Sequence, residues 1–158
     1  STRGRGCSRG PNLSEGRGTA RPFEIVGAPF IDHRWAERLE KRRIPGVSFR
    51  ETYFVPTFSK HESKTCGGVQ VHLTDPGRVD AIRVGVEMLV AAHALYPETA
   101  WREDDFDTKR PYWIDKLTGS TRLRTMIDDG ASADEVIAAW SSELRAFDRR
   151  RRRHLRYR

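Results

Sequence analysis

The sequence predicts an α+β domain: a small mixed or antiparallel sheet, in part barrel-like, packed against three to four helices. Three observations carry this. Two runs alternate apolar with polar side chains, residues 47–58 and 69–74, as half-buried strands do. Three other stretches repeat apolar residues every three or four positions, the spacing of a helix face. Helix and turn breakers (Pro45-Gly46, Pro97, Gly130) separate these stretches, and 158 residues are enough for one domain with a real core.

The elements follow in order. Residues 1–11 hold no large apolar side chain, so burial cannot offset their ordering entropy, and disorder is expected. Residues 12–23 form a Gly-rich loop, and 24–31 a short strand with a bend at Gly27 and Pro29. Asp32 is placed to cap a helix over 33–43 that carries Trp35 and Leu39. In the first alternating run Val47, Phe49, Tyr53 and Val55 share one side and Ser48, Arg50 and Thr52 the other, with Pro56 ending it or placing it at a sheet edge. In the second, Val69, Val71 and Leu73 oppose Gln70, His72 and Thr74. Asp75-Pro76 then opens a helix through Val79, Ile82, Val86, Leu89, Val90 and His93, and 97–113 is a long loop with Trp101, Phe106 and Trp113. A short helix from Ser120 ends at Gly130. The capping box Ser132-x-x-Glu135 starts a last one, with Val136, Ile137, Trp140, Leu144 and Phe147 as its apolar stripe.

Net charge is +7, but its location matters. Residues 1–22 carry +4 and the Arg-rich tail 149–158 carries +7, leaving 23–148 at −4. A nucleic-acid domain usually gathers its basic residues on a folded face. A small basic module acting on nucleic acid or another polyanion through its Arg-rich ends is therefore the rival function, and nucleic acid is not an expected partner. No apolar run approaches the length of a membrane span. Cys7 and Cys66 fix no disulfide framework, although one bridge is formally possible.

The densest polar cluster is Asn12-Leu-Ser-Glu-Gly-Arg-Gly-Thr19. Glycines on both sides of Arg17 let the backbone approach a ligand. Arg17 offers a planar fork for a carboxylate, and Glu15 can orient it or accept from sugar hydroxyls. On spacing alone a solvated surface turn explains the cluster better. Cys66, His61 and His72 are three candidate metal ligands without a CxxC or HxxxH core, so no metal site is expected, and Cys66 reads as a small buried hydrophobe. Gln70 and His72 share a strand face and can line a cleft, whereas His93 on an apolar helix face reads as a satisfied core histidine. Arg149 to Arg153 suit a helix C-terminus as a solvated end.

Taken in order, these residues resemble the second domain of bacterial exo-β-N-acetylmuramidases, long known only as a domain of unknown function. The resemblance rests on Asn12 to Thr19, Pro22-Phe-Glu-x-x-Gly-Ala-Pro29, Pro45-Gly-Val-x-Phe49, Phe54-x-Pro-Thr-x-Ser-Lys60, Cys66-Gly-Gly-Val-Gln70, and Gly130-x-Ser-x-x-Glu135 with Trp140 and Phe147. It covers residues 12–155 and implies release of terminal N-acetylmuramic acid from peptidoglycan fragments, without metal or other cofactor. It further implies a periplasmic or secreted enzyme. A Rossmann-like N-terminal domain with the main catalytic residues would be the natural partner of this smaller, cleft-closing domain. That domain is absent from the chain, and residues 1–10 do not resemble the apolar strand that precedes the Asn-x-Ser motif in the family. An out-of-frame or truncated gene start is the expectation for them. The expected substrate-binding residues are Asn12, Ser14, Glu15 and Arg17, with Lys60, Gln70 and His72, and the expected partner is a muramic-acid-containing glycan. Arg17 is matched to the lactyl carboxylate, and Glu15 is the first suspect should catalysis reside in this chain.

Overall fold

The computed structural model describes residues 11–155. Residues 1–10, and with them Cys7 and nearly all of the segment expected to be disordered, lie outside the described residues. Pro11 pairs with Trp101 through an isolated antiparallel bridge. The described chain runs β1 (Ile25–Ala28), α1 (His33–Lys41), β2 (Val47–Phe54), β3 (Cys66–Leu73), a 3-10 turn (Pro76–Arg78), α2 (Ala81–Leu95), α3 (Trp113–Thr118), α4 (Arg122–Asp128) and α5 (Ala133–Arg151). Among the described residues the strands form a three-stranded antiparallel sheet in the order β1-β3-β2, so the fold is α+β as expected.

Local chemistry fixes most of these ends. Asp32 accepts from the backbone of Arg34 and caps α1, and Ser132 and Glu135 bond reciprocally to open α5. The second helix starts later than its first cap signal suggested. Asp75 caps only the 3-10 turn, and Asp80 accepts from the amides of Ile82 and Arg83 to start α2. The loop expected over 97–113 gives way at its end to α3, a helix too short to display a period.

Register decides which face each side chain joins, because residues directly opposite in an antiparallel pair share a face. Phe49 opposes Val71, and Val26 opposes Val69. This face packs on Trp35 and Leu39 of α1 and Ala91 and Ala92 of α2 to make the first core. A second core joins Val86 of α2 with Ile114, Leu123, Ile127, Ala133 and Val136. On the other face of the sheet Ile25, Phe54 and Cys66 form a small third cluster.

Two expected stripes are corrected by this packing. Tyr53 and Val55 are exposed while Phe54 is buried, because the apolar cover at this end of β2, from Ile25 and Cys66, lies on the opposite face. In α5 the core ends near Trp140, and Leu144 and Phe147 project into solvent. His93 is also not a satisfied histidine. Its ring stacks on Trp101 at 4.4 Å, but its buried Nε2 has no hydrogen-bond partner among the described residues.

Candidate functional site

Two loop segments meet over one end of the sheet's second face. The first begins at Pro11. Ser14 and Gly27 exchange backbone hydrogen bonds at 2.7 and 2.9 Å, which lays this segment along β1. Asn12 holds it from the far side, donating to the Glu98 carbonyl at 2.8 Å and accepting from the Ala100 amide at 3.0 Å. Ser14 is 1% exposed, and its hydroxyl accepts from the Gly16 amide at 3.2 Å. The chain then turns over Ile25. At Gly18 φ is +80°, and an added Cβ would meet the Thr57 and Phe58 nitrogens at 2.8 Å, so only glycine fits this approach.

The second segment, 56–64, folds back on itself with the Ser63 amide donating to the Pro56 carbonyl at 2.8 Å. Its Lys60 ammonium enters the first loop and donates to the Pro11 and Leu13 carbonyls. Glu15 lies 3.6 Å from that ammonium, whose side chain is 13% exposed. Burial pulls the Lys60 pKa down to about 8, against the opposing pull of Glu15. Beside it His61 Nε2 sits 2.6 Å from the Asn12 carbonyl. Four of the five non-glycine residues with left-handed backbone among the described residues lie in these segments: Phe23, Ser59, His61 and Ser63. Such conformations persist only where surroundings over-determine them, and they gather at ligand sites.

Glu15 also accepts from Arg17 Nε at 2.8 Å, and the Arg17 guanidinium rests 5.0 Å from the centre of the Phe23 ring. An open groove of about 540 Å³ follows, lined by Arg17, Thr19, Pro22, Phe23 and Phe58. Phe23 is 65% exposed and Phe58 57%. Aromatic faces flanking a charged fork suit a sugar ring, which offers C–H groups to the aromatic and hydroxyls to the charges.

Gln70 and His72 follow on the sheet. Gln70 opposes Ile25 on one side and Arg50 on the other, and His72 opposes Ser48. The Ile25 side of this face is covered by the turn at Gly16, whose added Cβ would lie 3.3 Å from the Ile25 Cβ. Around Ser48, Arg50, Gln70 and His72 it stays polar.

The structure thus brings Asn12, Ser14, Glu15, Arg17 and Lys60 into one cluster and sets Gln70 and His72 next to it. Asn12 and Ser14 use their polar atoms to build the loop. Glu15 and Arg17 remain partly exposed. The sequence did not mark Phe23 and Phe58 as site residues: Phe23 stood inside the Pro22 motif and Phe58 at the end of the alternating run, and neither position signals an exposed aromatic. It also missed His61 as a clamp on the loop. Among the described residues no three His, Cys, Asp or Glu side chains converge as a metal site. Cys66 is fully buried, and burial raises its thiol pKa. At the far end of α5, Asp148 pairs with Arg151 and Arg152, which leaves less free charge there than a count of arginines suggests.

A sheet with one face in the core and the other carrying a loop-built polar cluster defines a small α+β domain. The chain belongs to the family described as the C-terminal part of the exo-β-N-acetylmuramidase NamZ, whose model matches residues 4–157. It is 40% identical over 153 residues to the peptidoglycan β-N-acetylmuramidase NamZ of Bacillus subtilis (strain 168), a match covering 96% of this chain and 36% of that protein. Two crystal structures of DUF1343 family proteins from Bacteroides fragilis share the fold at 23% identity. One has a TM-score of 0.78 over 93% of this chain and 38% of its own, the other 0.58 over 94% and 37%. The chain therefore spans about a third of the length of these relatives. No helix among the described residues is long and apolar enough to cross a membrane.

Proposed function

We propose that this chain is the C-terminal part of an exo-acting glycoside hydrolase that releases terminal N-acetylmuramic acid from peptidoglycan fragments. The observation that carries this reading is the 40% identity to a peptidoglycan β-N-acetylmuramidase across nearly the whole chain. The loop cluster supports it. Glu15, Arg17, Lys60, Gln70 and His72 would face the glycan, while Asn12 and Ser14 hold the loop in shape. Cleavage of a glycosidic bond ordinarily needs a proton donor and a second group across the sugar. A Rossmann-like N-terminal domain, as the family resemblance implies, would supply the principal catalytic residues and the opposite wall of the cleft.

The test is activity with and without that wall. The 158 residues alone should release no N-acetylmuramic acid from a chromogenic muramide, because positioning from one side leaves the reacting groups unaligned. Fusion in frame to an N-terminal domain from a relative should create activity. Release by the isolated chain would move catalysis into this domain, with Glu15 examined first. An inactive, well-folded fusion would count against the glycosidase reading.

A further inference from the structure

The polar face of the sheet holds a cation that the loop cluster does not use. Arg50 is exposed on β2, and its guanidinium makes no hydrogen bond or ion pair among the described residues. Its register partner Gln70 is half-buried and likewise without a side-chain hydrogen bond among them. One step further along β3, on the same face, His72 has a buried Nε2 with no partner among the described residues. Opposed side chains in such a pair stand about 5 Å apart at Cβ, so Arg50 and Gln70 form one hydrogen-bonding surface, with Ser48 and His72 beside it. A buried polar atom is normally satisfied, so the His72 Nε2, without a partner among the described residues, beside the exposed Arg50 fork and Gln70 gives this face hydrogen-bonding capacity that the fold itself does not use.

Arg17, the arginine favoured by motif reading, is in a different state. Its fork is engaged by Glu15 at 2.8 Å and its plane by Phe23. An incoming carboxylate would have to compete with Glu15 there, whereas at Arg50 it meets an unpaired fork. We propose that Arg50, with Gln70 beside it, binds the carboxylate of a muramic acid residue and is the specificity determinant that separates this sugar from N-acetylglucosamine. The inference rests on the glycan reading above. It assigns the groove at Phe23 and Phe58 to the sugar ring and the sheet face at Arg50 to the acid. Ile25, the other register neighbour of Gln70, lies against the turn at Gly16 that leads into the groove.

The experiment is an NMR titration of this chain with three probes: N-acetylmuramic acid, its methyl ester and N-acetylglucosamine. The free acid should shift amides at 48–52 and 68–72 and bind at least about tenfold more tightly than either neutral probe, the discrimination expected of a charge-assisted bidentate contact. Arg50→Gln should abolish that preference with no change in melting temperature, because the side chain has no structural partner to lose. Equal binding of all three probes would overturn the assignment while leaving the glycan reading intact. So would a preference that survives Arg50→Gln and disappears in Arg17→Gln. Absence of any binding at millimolar sugar would overturn both.

Discussion

Lys60 offers the sharpest test of the site's electrostatics. Its ammonium is enclosed by the Pro11 and Leu13 carbonyls with Glu15 at 3.6 Å, and burial lowers its pKa from 10.5 to about 8. At about 1.4 kcal/mol per tenfold change in proton affinity, that gap corresponds to a ceiling of roughly 3 kcal/mol. Its sign follows from proton linkage. Between pH 8 and 10.5 the unfolded chain still holds the lysine proton and the folded chain has lost it, so stability rises with pH across that window. Below pH 8 both states are protonated and this group contributes no slope. Urea unfolding followed by tryptophan fluorescence, at half-unit steps from pH 7.5 to 10.5, measures the effect. The other lysines and the tyrosines titrate in the same range, so the informative quantity is wild type minus Lys60→Met. That difference should climb by about 1–3 kcal/mol across the window. A flat or falling difference would mean that the carbonyls and Glu15 stabilise the ammonium at least as much as burial penalises it, and the clamp would then be an ordinary ion pair.

Three further outcomes follow from the packing. Trp35 is fully buried and its Nε1 donates to the Met88 carbonyl at 3.2 Å; Trp35→Ala should cost about 3–5 kcal/mol in chemical denaturation, and a loss under about 1 would refute the first core. Gly68→Ala would drive a Cβ into the Val26 carbonyl and the Gly27 Cα; β1 should detach, seen as collapsed amide dispersion at Ile25–Ala28, and an unperturbed spectrum would disprove the close strand approach. Phe147→Ala should change stability by less than about 0.5 kcal/mol, while Val136→Ala, at 0% exposure, should cost about 2 kcal/mol. Equal losses would mean that the last turns of α5 are packed.

What the sequence revealed about the fold was what local chemistry specifies. The cap at Asp32, the box at Ser132 and Glu135, and the alternation through Val69 and Val71 are each decided within a few residues. The strand order β1-β3-β2 is not, because it depends on pairing between segments about forty residues apart. The same limit explains Tyr53 and Phe54. Alternation shows that neighbours point opposite ways, but which face finds apolar cover depends on what packs there, here Ile25 and Cys66 against Phe54. In the candidate site, glycine spacing and charge drew notice to Glu15 and Arg17, but only the family resemblance lifted them above a solvated turn. Lys60 came from its motif alone, and its burial against backbone carbonyls is a tertiary fact that no neighbouring residue encodes. Arg50 looked like a solvent-side strand residue, and only its register against Gln70 sets it apart.

The two principal cores meet at one element. Helix α2 gives Ala91 and Ala92 to the core under the sheet and Val86 to the core among the later helices. Arg42 and Arg83 reinforce the junction by reaching Glu87 of α2 and Asp134 of α5. Neither half can melt without exposing a face of the helix that the other half still needs. Amide exchange should therefore be slowest along the middle of α2 and governed there by global opening, while the loops 12–23 and 56–64 exchange through small local openings. The sheet would then carry a stiff floor beneath an adjustable rim. Variation in the rim could retune what the surface accepts while the shared helix keeps the domain one cooperative unit.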